Sequence, residues 1–180
     1  MCVNGSRCIT YHFIKNHACK YYKFINNFNI EQNFLKNEHF TDNYISVSTP
    51  KYSDYSELSD YKDCYFVRVG VPHVIRKLDL NHNEFYKFNL KELYNDLNNK
   101  YEHYFKTRFN VSITMKKDEN IYIRTYEKGV EAETGACGSA CIASIYDSKN
   151  ELNKLITKKG EILIKKLGSE RYISSEVNIF

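Results

Sequence analysis

Cys2 and Cys137 are the residues of this sequence whose surroundings suggest chemistry, because each is followed by a small-residue turn that can open a helix. A thiol at a helix N-terminus lies at the positive end of the helix dipole and beside free backbone N–H groups. We therefore expect the pKa of both thiols to be lowered, which favours the reactive thiolate. The same N–H groups can hold a carboxylate.

Two such helix ends that face each other would place one thiol on each side of a bound α-amino acid. One thiolate could remove the α-proton while the opposite thiol delivers a proton, which inverts the α-carbon. The alternative is structural, since a cysteine at a helix start is more often an inert, small hydrophobic residue. For a single Cys-Gly pair the structural interpretation is favoured, and only longer motifs around both cysteines reverse it.

Such motifs surround both cysteines. Residues 2–8 read CVNGSRC and resemble the CGNGARC segment of diaminopimelate epimerases. Residues 124–139 read RTYEKGVEAETGACGS and resemble the R-x-Y-E-R-G-x-G-E-T-x-A-C-G-[ST] segment of that family. Residues 69–74, 109–111 and 175–180 resemble its G-N-P-H strand end, its G-V-N-V segment and its closing P-A-E-F-V-F strand. The matches follow the order of the family and span nearly the whole chain.

The resemblance implies a set of site residues, position by position. It assigns Cys2 and Cys137 as the two catalytic thiols. It assigns eight further positions to substrate binding: Val3, Asn4, His73, Asn110, Glu127, Lys128, Gly138 and Ser139. Taken singly, the polar members of this set are better explained as structural residues: a turn Asn, a strand-end Asn, a surface Glu and a half-buried His. The resemblance implies neither a cofactor nor a metal.

Four departures from the family pattern bear on this assignment. Val3 replaces the first Gly of the CGNG turn, where a β-branched side chain resists positive φ. Val71 replaces a substrate-contacting Asn, and Lys128 replaces an Arg whose fork suits a carboxylate. In the family about a quarter of the chain precedes the first cysteine, whereas only Met1 precedes Cys2. We expect this chain to lack that N-terminal quarter, which leaves the first lobe incomplete.

The elements that must position these residues follow from the hydrophobic pattern. Helices are predicted from Ser6 to about Lys20, over 89–101 and over 138–149, and residues 51–62 are predicted to be a linker. Strands are predicted at 44–48, 64–69, 110–115, 120–126, 161–166 and 171–180. This pattern predicts an α+β fold.

The resemblance implies two pseudo-symmetric lobes, each a curved, mainly antiparallel sheet around a central helix. We expect an incomplete N-terminal lobe at 1–60, a C-terminal lobe at 61–170, and a closing strand at 171–180 that returns to the first lobe.

Composition limits the class of protein. Of 180 residues, 42% are hydrophobic and 27% are charged, which is typical of a soluble globular chain. The net charge of +4 comes from scattered lysines without a basic stripe, so we expect no nucleic-acid partner. The N-terminal residues contain no apolar run long enough for a signal peptide or membrane span. We therefore expect a cytoplasmic protein, with reduced thiols and no membrane partner.

The leading functional hypothesis is the reaction that the resemblance implies, the interconversion of LL- and meso-diaminopimelate. The partner would then be this small molecule, and the family resemblance implies a homodimer. A second hypothesis is a related racemase that uses the same thiols on another amino acid, such as histidine. A third is a non-catalytic remnant that only folds in part or binds a partner.

Overall fold

The computed structural model of the chain describes residues 7–12, 16, 23–25, 31–35 and 44–176. Three sequence-predicted site residues, Cys2, Val3 and Asn4, lie outside these described residues. The predicted first helix is confirmed for residues 7–12, which are helical. The remainder of that prediction falls largely outside the described part of the chain.

Within the described ranges the helical residues 7–12 are followed by twelve strands and three further helices. In chain order they are β1 (Lys23–Ile25), β2 (Glu31–Leu35), β3 (Tyr44–Ser48), β4 (Ser53–Glu57), β5 (Cys64–Val69), β6 (Val71–Lys77), α1 (His82–Lys87), α2 (Leu90–Phe105), β7 (Asn110–Lys117), β8 (Asn120–Glu127), β9 (Ala132–Thr134), α3 (Gly138–Ser144), β10 (Leu152–Thr157), β11 (Gly160–Leu167) and β12 (Glu170–Glu176).

The strands form one open sheet in the order β1-β2-β3-β12-β11-β10-β8-β7-β6-β5-β4, with β9 beside β8. Two pairs are parallel, β6 with β7 and β8 with β10, and the other described pairs are antiparallel. A mixed sheet with few helices confirms the predicted α+β class.

The C-terminal strand β12 joins the end of the chain to its N-terminal part. It pairs with β3 over five residues, from Tyr172 opposite Ser48 to Glu176 opposite Tyr44. The hydroxyls of Ser46 and Ser174 lie 2.5 Å apart across this pair. The Arg7 side chain also donates to Ser175. Strand β12 therefore lies beside β3 in the sheet. The division into two lobes, with a closing strand that returns to the first, stays a prediction.

The strand predictions at 44–48 and 64–69 are confirmed with their bounds. The linker prediction is wrong over 53–57, which form the edge strand β4. The side chains of this strand are mostly exposed, so no hydrophobic alternation marks it in the sequence. Strand β6 was not predicted as a separate strand. Gly70 reverses the chain in one residue at φ +69, and Val69 pairs directly with Val71, so no polar turn separates β6 from β5 in the sequence.

Helix α2 follows its sequence pattern. Its N-cap is Asn89, whose side chain accepts a hydrogen bond from the Glu92 backbone at 3.2 Å. Leu90, Leu93 and Leu97 are buried on one face, as their spacing predicted. The helix runs to Phe105, four residues beyond the predicted end.

No helix in the described part of the chain is both long and apolar enough to cross a membrane.

Two clusters of buried residues lie on the two faces of the sheet. One lies against α2 and includes Phe66, Leu97 and Phe109. The other surrounds α3, all seven residues of which are buried. Helix α3 contacts β5, β6 and β7, and it also contacts β11 further along the strand order. The sheet therefore curves around α3, which carries Cys137 at its N-terminal end.

Candidate active site

Cys137 is the N-cap of α3. Its backbone is extended, with φ −127° and ψ 108°, and the helix begins at Gly138. The side chain is 9% exposed. The sulfur lies 3.4 Å from Ser139 Oγ. The predicted helix start directly after this cysteine is therefore confirmed, although α3 ends at Ser144 rather than near residue 149.

The pKa of the Cys137 thiol is raised to about 11, so the expectation of a lowered pKa was wrong for this residue. Burial is the largest cause, and the Glu127 carboxylate is the next. The Ser139 hydroxyl and the nearby Ala140 backbone N–H act in the opposite direction but do not compensate. A seven-residue helix supplies only a small dipole effect at its end, whereas desolvation acts on the whole charge of a thiolate. Cys137 is therefore a protonated thiol in this structure.

His73 is joined to this thiol through Ser139. Its Nε2 lies 3.1 Å from Ser139 Oγ, and its Nδ1 has no hydrogen-bond partner among the described residues. The ring is fully buried, where the sequence suggested a half-buried residue. Burial and, as a smaller cause, the nearby Lys128 ammonium lower the pKa of His73 to about 3. His73 is therefore neutral near pH 7, and it can hold Ser139 in place without adding a charge beside Cys137.

The neutral His73 predicts an acid-sensitive fold. The unfolded chain binds a proton at this residue below its usual pKa of about 6.5, while the folded chain does not, so stability falls as pH falls below that value. We expect a loss of about 1.4 kcal/mol per pH unit from this residue between pH 6 and pH 4. Urea unfolding of the wild type and of His73→Asn, measured across this range, would test it. Parallel pH profiles of the two proteins would contradict the prediction.

Strand register brings His73, Asn110 and Glu127 together. His73 pairs with Asn110 across the parallel strands β6 and β7. Val111, the next residue of β7, pairs with Tyr126, so Asn110 lies beside Glu127. The half-buried Glu127 carboxylate accepts a hydrogen bond from Thr134 and contacts the Cys137 thiol. Neighbouring strand ends therefore bring these three sequence-predicted site residues together, and Glu127 is the one that lies near the Cys137 thiol.

Asn110 holds the turn that follows Glu127. It is buried, and its Oδ1 accepts a hydrogen bond from the Lys128 backbone N–H at 3.0 Å. Its observed role is therefore to fix the chain between the two candidate site residues Glu127 and Lys128. Thr134 was not singled out from the sequence, although it belongs to the E-T-x-A-C-G match, and its hydroxyl orients the Glu127 carboxylate.

Lys128 is half-buried and has no carboxylate partner among the described residues. Burial lowers its pKa, and the charges of Arg68 and Arg108 lower it further. Each of these arginines has its own counterion, Asp54 at 2.7 Å and Glu131 at 3.3 Å. An anionic group of a ligand would supply the partner that Lys128 lacks in this part of the chain.

Glu127 makes a second prediction possible. Because its negative charge raises the pKa of Cys137, Glu127→Gln should lower that pKa and speed alkylation of Cys137 at pH 8. The pH dependence of iodoacetamide alkylation, followed by mass spectrometry, measures the shift. Glu161→Gln, at a lysine-paired position on β11, is a matched control that should leave the profile unchanged. An unchanged profile in Glu127→Gln would show that this carboxylate does not influence the thiol.

Two further features define the limits of the site. No group of three His, Cys, Asp or Glu residues among the described ones could hold a metal ion.

A cavity of about 520 Å³ lies at the opposite end of α3, where Ser144 and Ile145 line it together with Lys77 and Asp147. Cys137 does not line this cavity, so the candidate site is assigned from the thiol and its hydrogen-bond network.

Comparison with known sequences gives several relatives of one kind. The chain is 31% identical over 206 aligned residues to a diaminopimelate epimerase of Helicobacter pylori, covering 98% of this chain and 71% of that protein. It is 31% identical to the diaminopimelate epimerase of Campylobacter lari, over 94% of this chain and 62% of that protein. The enzyme of that name from Thermotoga maritima is 28% identical, with coverage of 82% and 66%. The chain therefore spans less than two thirds of the length of these last two relatives. No protein-family model matches the sequence.

Comparison with solved structures supports the fold. A putative phenazine biosynthesis PhzC/PhzF protein of Clostridium difficile superposes with a TM-score of 0.68 at 14% identity, covering 100% of this chain and 71% of the other. A predicted epimerase of Pseudomonas aeruginosa superposes with a TM-score of 0.62 at 9% identity, covering 95% and 69%. At these identities the likeness establishes the architecture alone.

Proposed function

The chain belongs to the diaminopimelate epimerase family, and from this premise we propose that it is an isomerase that interconverts LL- and meso-2,6-diaminopimelate. Cys137 is one of its two acid/base thiols, and Cys2 is the other. The observation that carries the proposal is the environment of Cys137, which lies at the start of a buried helix. The Ser139 hydroxyl lies 3.4 Å from its sulfur and is bonded in turn to His73, and the Glu127 carboxylate lies near the thiol.

The protonated Cys137 thiol suits the role of proton donor. In the proposed reaction the Cα–H bond breaks as the proton moves to the Cys2 thiolate on one face of the substrate. The Cys137 S–H bond then breaks as its proton is delivered to the opposite face of the same carbon. Each turnover exchanges the protonation states of the two thiols, so no electrons are gained or lost and neither a cofactor nor a metal is needed.

The remaining site residues would bind the polar groups of the substrate. The backbone of Gly138 and Ser139 can contact its α-carboxylate at the start of α3. Lys128 supports the binding of a second carboxylate, because it is a half-buried cation without a carboxylate partner in the described part of the chain. Asn110 would act beside it, and Val3 and Asn4 would contact the substrate from the Cys2 segment.

The proposal also covers the setting of the reaction. Burial of Cys137 and His73 provides a site with little water, in which the charges that develop on the substrate interact strongly with nearby donors. We further propose a cytoplasmic homodimer that acts on this small molecule in lysine and cell-wall precursor synthesis.

One observation favours a second candidate function, a racemase for another amino acid such as histidine. Val71 begins β6 two residues before His73, and the two side chains share one face of the strand. An apolar side chain there offers no hydrogen bond to a second amino or carboxylate group. A substrate with a different distal end would fit this position better than diaminopimelate.

Exchange of the α-proton with deuterated solvent tests both candidates. LL-diaminopimelate and L-histidine are incubated separately with the 180-residue chain in D₂O, and loss of the α-proton signal is followed by NMR. Exchange of diaminopimelate supports the leading proposal. Exchange of histidine alone supports the second candidate. Exchange of neither compound would mean that this chain, which spans 62% of the Campylobacter lari protein, is a non-catalytic member of its family.

A further inference from the structure

Helix α3 is too short, and its side chains are too small, to fix its position by its own interactions. It has seven residues, of which only Ile142 has a large side chain, so few bulky groups interlock with the sheet around it. A helix this short is unstable in isolation, because few intrahelical hydrogen bonds offset the entropy of ordering it. Its placement therefore depends on contacts from outside. The Ile142 and Ala143 carbonyls of its last turn accept backbone hydrogen bonds from Ile145 and Tyr146 at 3.3 and 3.2 Å, and they can also bind donors from outside the helix.

Two tyrosines supply those donors. Tyr52 donates its hydroxyl hydrogen to the Ile142 carbonyl at 2.8 Å, and Tyr65 donates to the Ala143 carbonyl at 3.0 Å. The Cys141 carbonyl is satisfied within the helix by the Ser144 hydroxyl at 2.8 Å. The contacts from Tyr52 and Tyr65 come from outside the helix, from the segment before β4 and from β5. They therefore tie the C-terminal end of α3 to one side of the sheet.

The tyrosine rings are themselves fixed. Tyr52 packs edge-on against Tyr146, with ring centroids 5.0 Å apart, and the Arg171 guanidinium lies 5.0 Å above its ring. Tyr65 is buried within β5. Burial raises the pKa of Tyr52 to about 12 and raises the pKa of Tyr65 as well. Both hydroxyls therefore stay protonated at neutral pH and can donate hydrogen bonds there.

We propose that Tyr52 and Tyr65 are positioning residues, which hold the end of α3 so that Cys137, at its other end, lies against Ser139 and Glu127. The distance between the two ends is about 10 Å, from a rise of about 1.5 Å per residue. A shift of the helix along its axis would move the sulfur relative to both neighbours and admit water. The inference rests on the proposed role of Cys137, but its test needs no turnover.

The test measures Cys137 reactivity in Tyr52→Phe and Tyr65→Phe. Each variant removes one hydroxyl and keeps the ring, so packing is preserved while one helix-end carbonyl loses its hydrogen bond from outside the helix. Alkylation by iodoacetamide is followed from pH 7 to pH 10 by mass spectrometry, with fragmentation to separate Cys137 from Cys141. Cys64, a buried thiol in the other cluster, reports any general unfolding in the same sample. Tyr101→Phe is the matched control, since its hydroxyl bonds Asp60 at 2.7 Å on the surface.

We expect each helix-end variant to speed Cys137 alkylation at pH 8 by about fivefold, the factor that corresponds to the loss of one hydrogen bond. The pH profile should shift to lower pH, because added water lowers the pKa of the thiol. Cys64 and the Tyr101→Phe protein should react as in the wild type. An unchanged Cys137 profile, or an equal rise at Cys64, would overturn the inference, because the tyrosines would then have no specific effect on this thiol.

Discussion

Cys137→Ser is expected to slow α-proton exchange by about 10²- to 10⁴-fold, the range that a positioned general acid or base contributes. Serine keeps the size and the hydrogen-bonding capacity of the side chain, so its contacts with Ser139 and Ala140 can persist. Its hydroxyl is a far weaker acid than a thiol and cannot form the anion that the reverse direction requires. The rate of deuterium incorporation at the α-carbon of LL-diaminopimelate, followed by NMR, measures the loss.

The matched control is Cys64→Ala, which removes a thiol that is equally buried but lies in the cluster against α2. It should retain the exchange rate of the wild type when both are folded, which circular dichroism verifies. Equal exchange rates in Cys137→Ser and in the wild type would exclude Cys137 as the acid/base group. This result would contradict the proposed mechanism even if the chain proved active.

Arg124→Met is expected to lower the free energy of unfolding by about 2–3 kcal/mol, because the hydrogen bonds of a buried charged group are lost. The Arg124 side chain is 7% exposed, and its Nε and Nη2 donate to Glu133 at 2.8 and 2.7 Å. Its Nη1 also donates to the backbone carbonyls of Phe85, Tyr86 and Phe88, which lie around the end of α1. Methionine fills similar volume but donates nothing, so five acceptor atoms lose a hydrogen bond, although Glu133 keeps Lys158 as an ion-pair partner at 2.9 Å. Urea unfolding followed by circular dichroism measures the change.

Lys100→Met provides the comparison for this prediction. Lys100 forms an ion pair with Asp60 at 2.8 Å, but both side chains are about half exposed to water. Screening by solvent makes such a pair nearly neutral for stability, so its urea midpoint should match that of the wild type. If the two variants had equal midpoints, the Arg124 network would contribute no more than a surface contact. The loop to Cys137 would then not depend on Glu133 for its anchoring.

Several elements of the fold could be predicted because their patterns are local. The strand at 64–69 is a β-branched and aromatic run that ends at Gly70, and the face of α2 follows from the spacing of Leu90, Leu93 and Leu97. Strand β4 could not be predicted in this way. It is held by backbone pairing with β5, and Asp54 adopts φ +54° where the register shifts. Those features depend on the neighbouring strand and leave little trace in the residues themselves.

For the candidate site as well, the residues close to Cys137 in the sequence could be predicted, and those far from it in the sequence could not. The motif around Cys137 identified Glu127, Gly138 and Ser139 as neighbours of the thiol, and the structure places all three close to it. It did not identify Tyr52 and Tyr65, which lie more than 70 residues away in the chain and reach α3 only because the sheet curves around it. The predicted assignment of Cys2, Val3 and Asn4 falls outside the described residues and stays a prediction.

The sequence alone determined which residues accompany Cys137 and that a helix begins directly after it, because both depend on residue types at short spacing. Only the tertiary structure decided the protonation state of that thiol. The helix end favours a thiolate, but burial under the sheet and the Glu127 carboxylate outweigh it and raise the pKa to about 11. Desolvation depends on every element packed around a group, so no local motif can specify it.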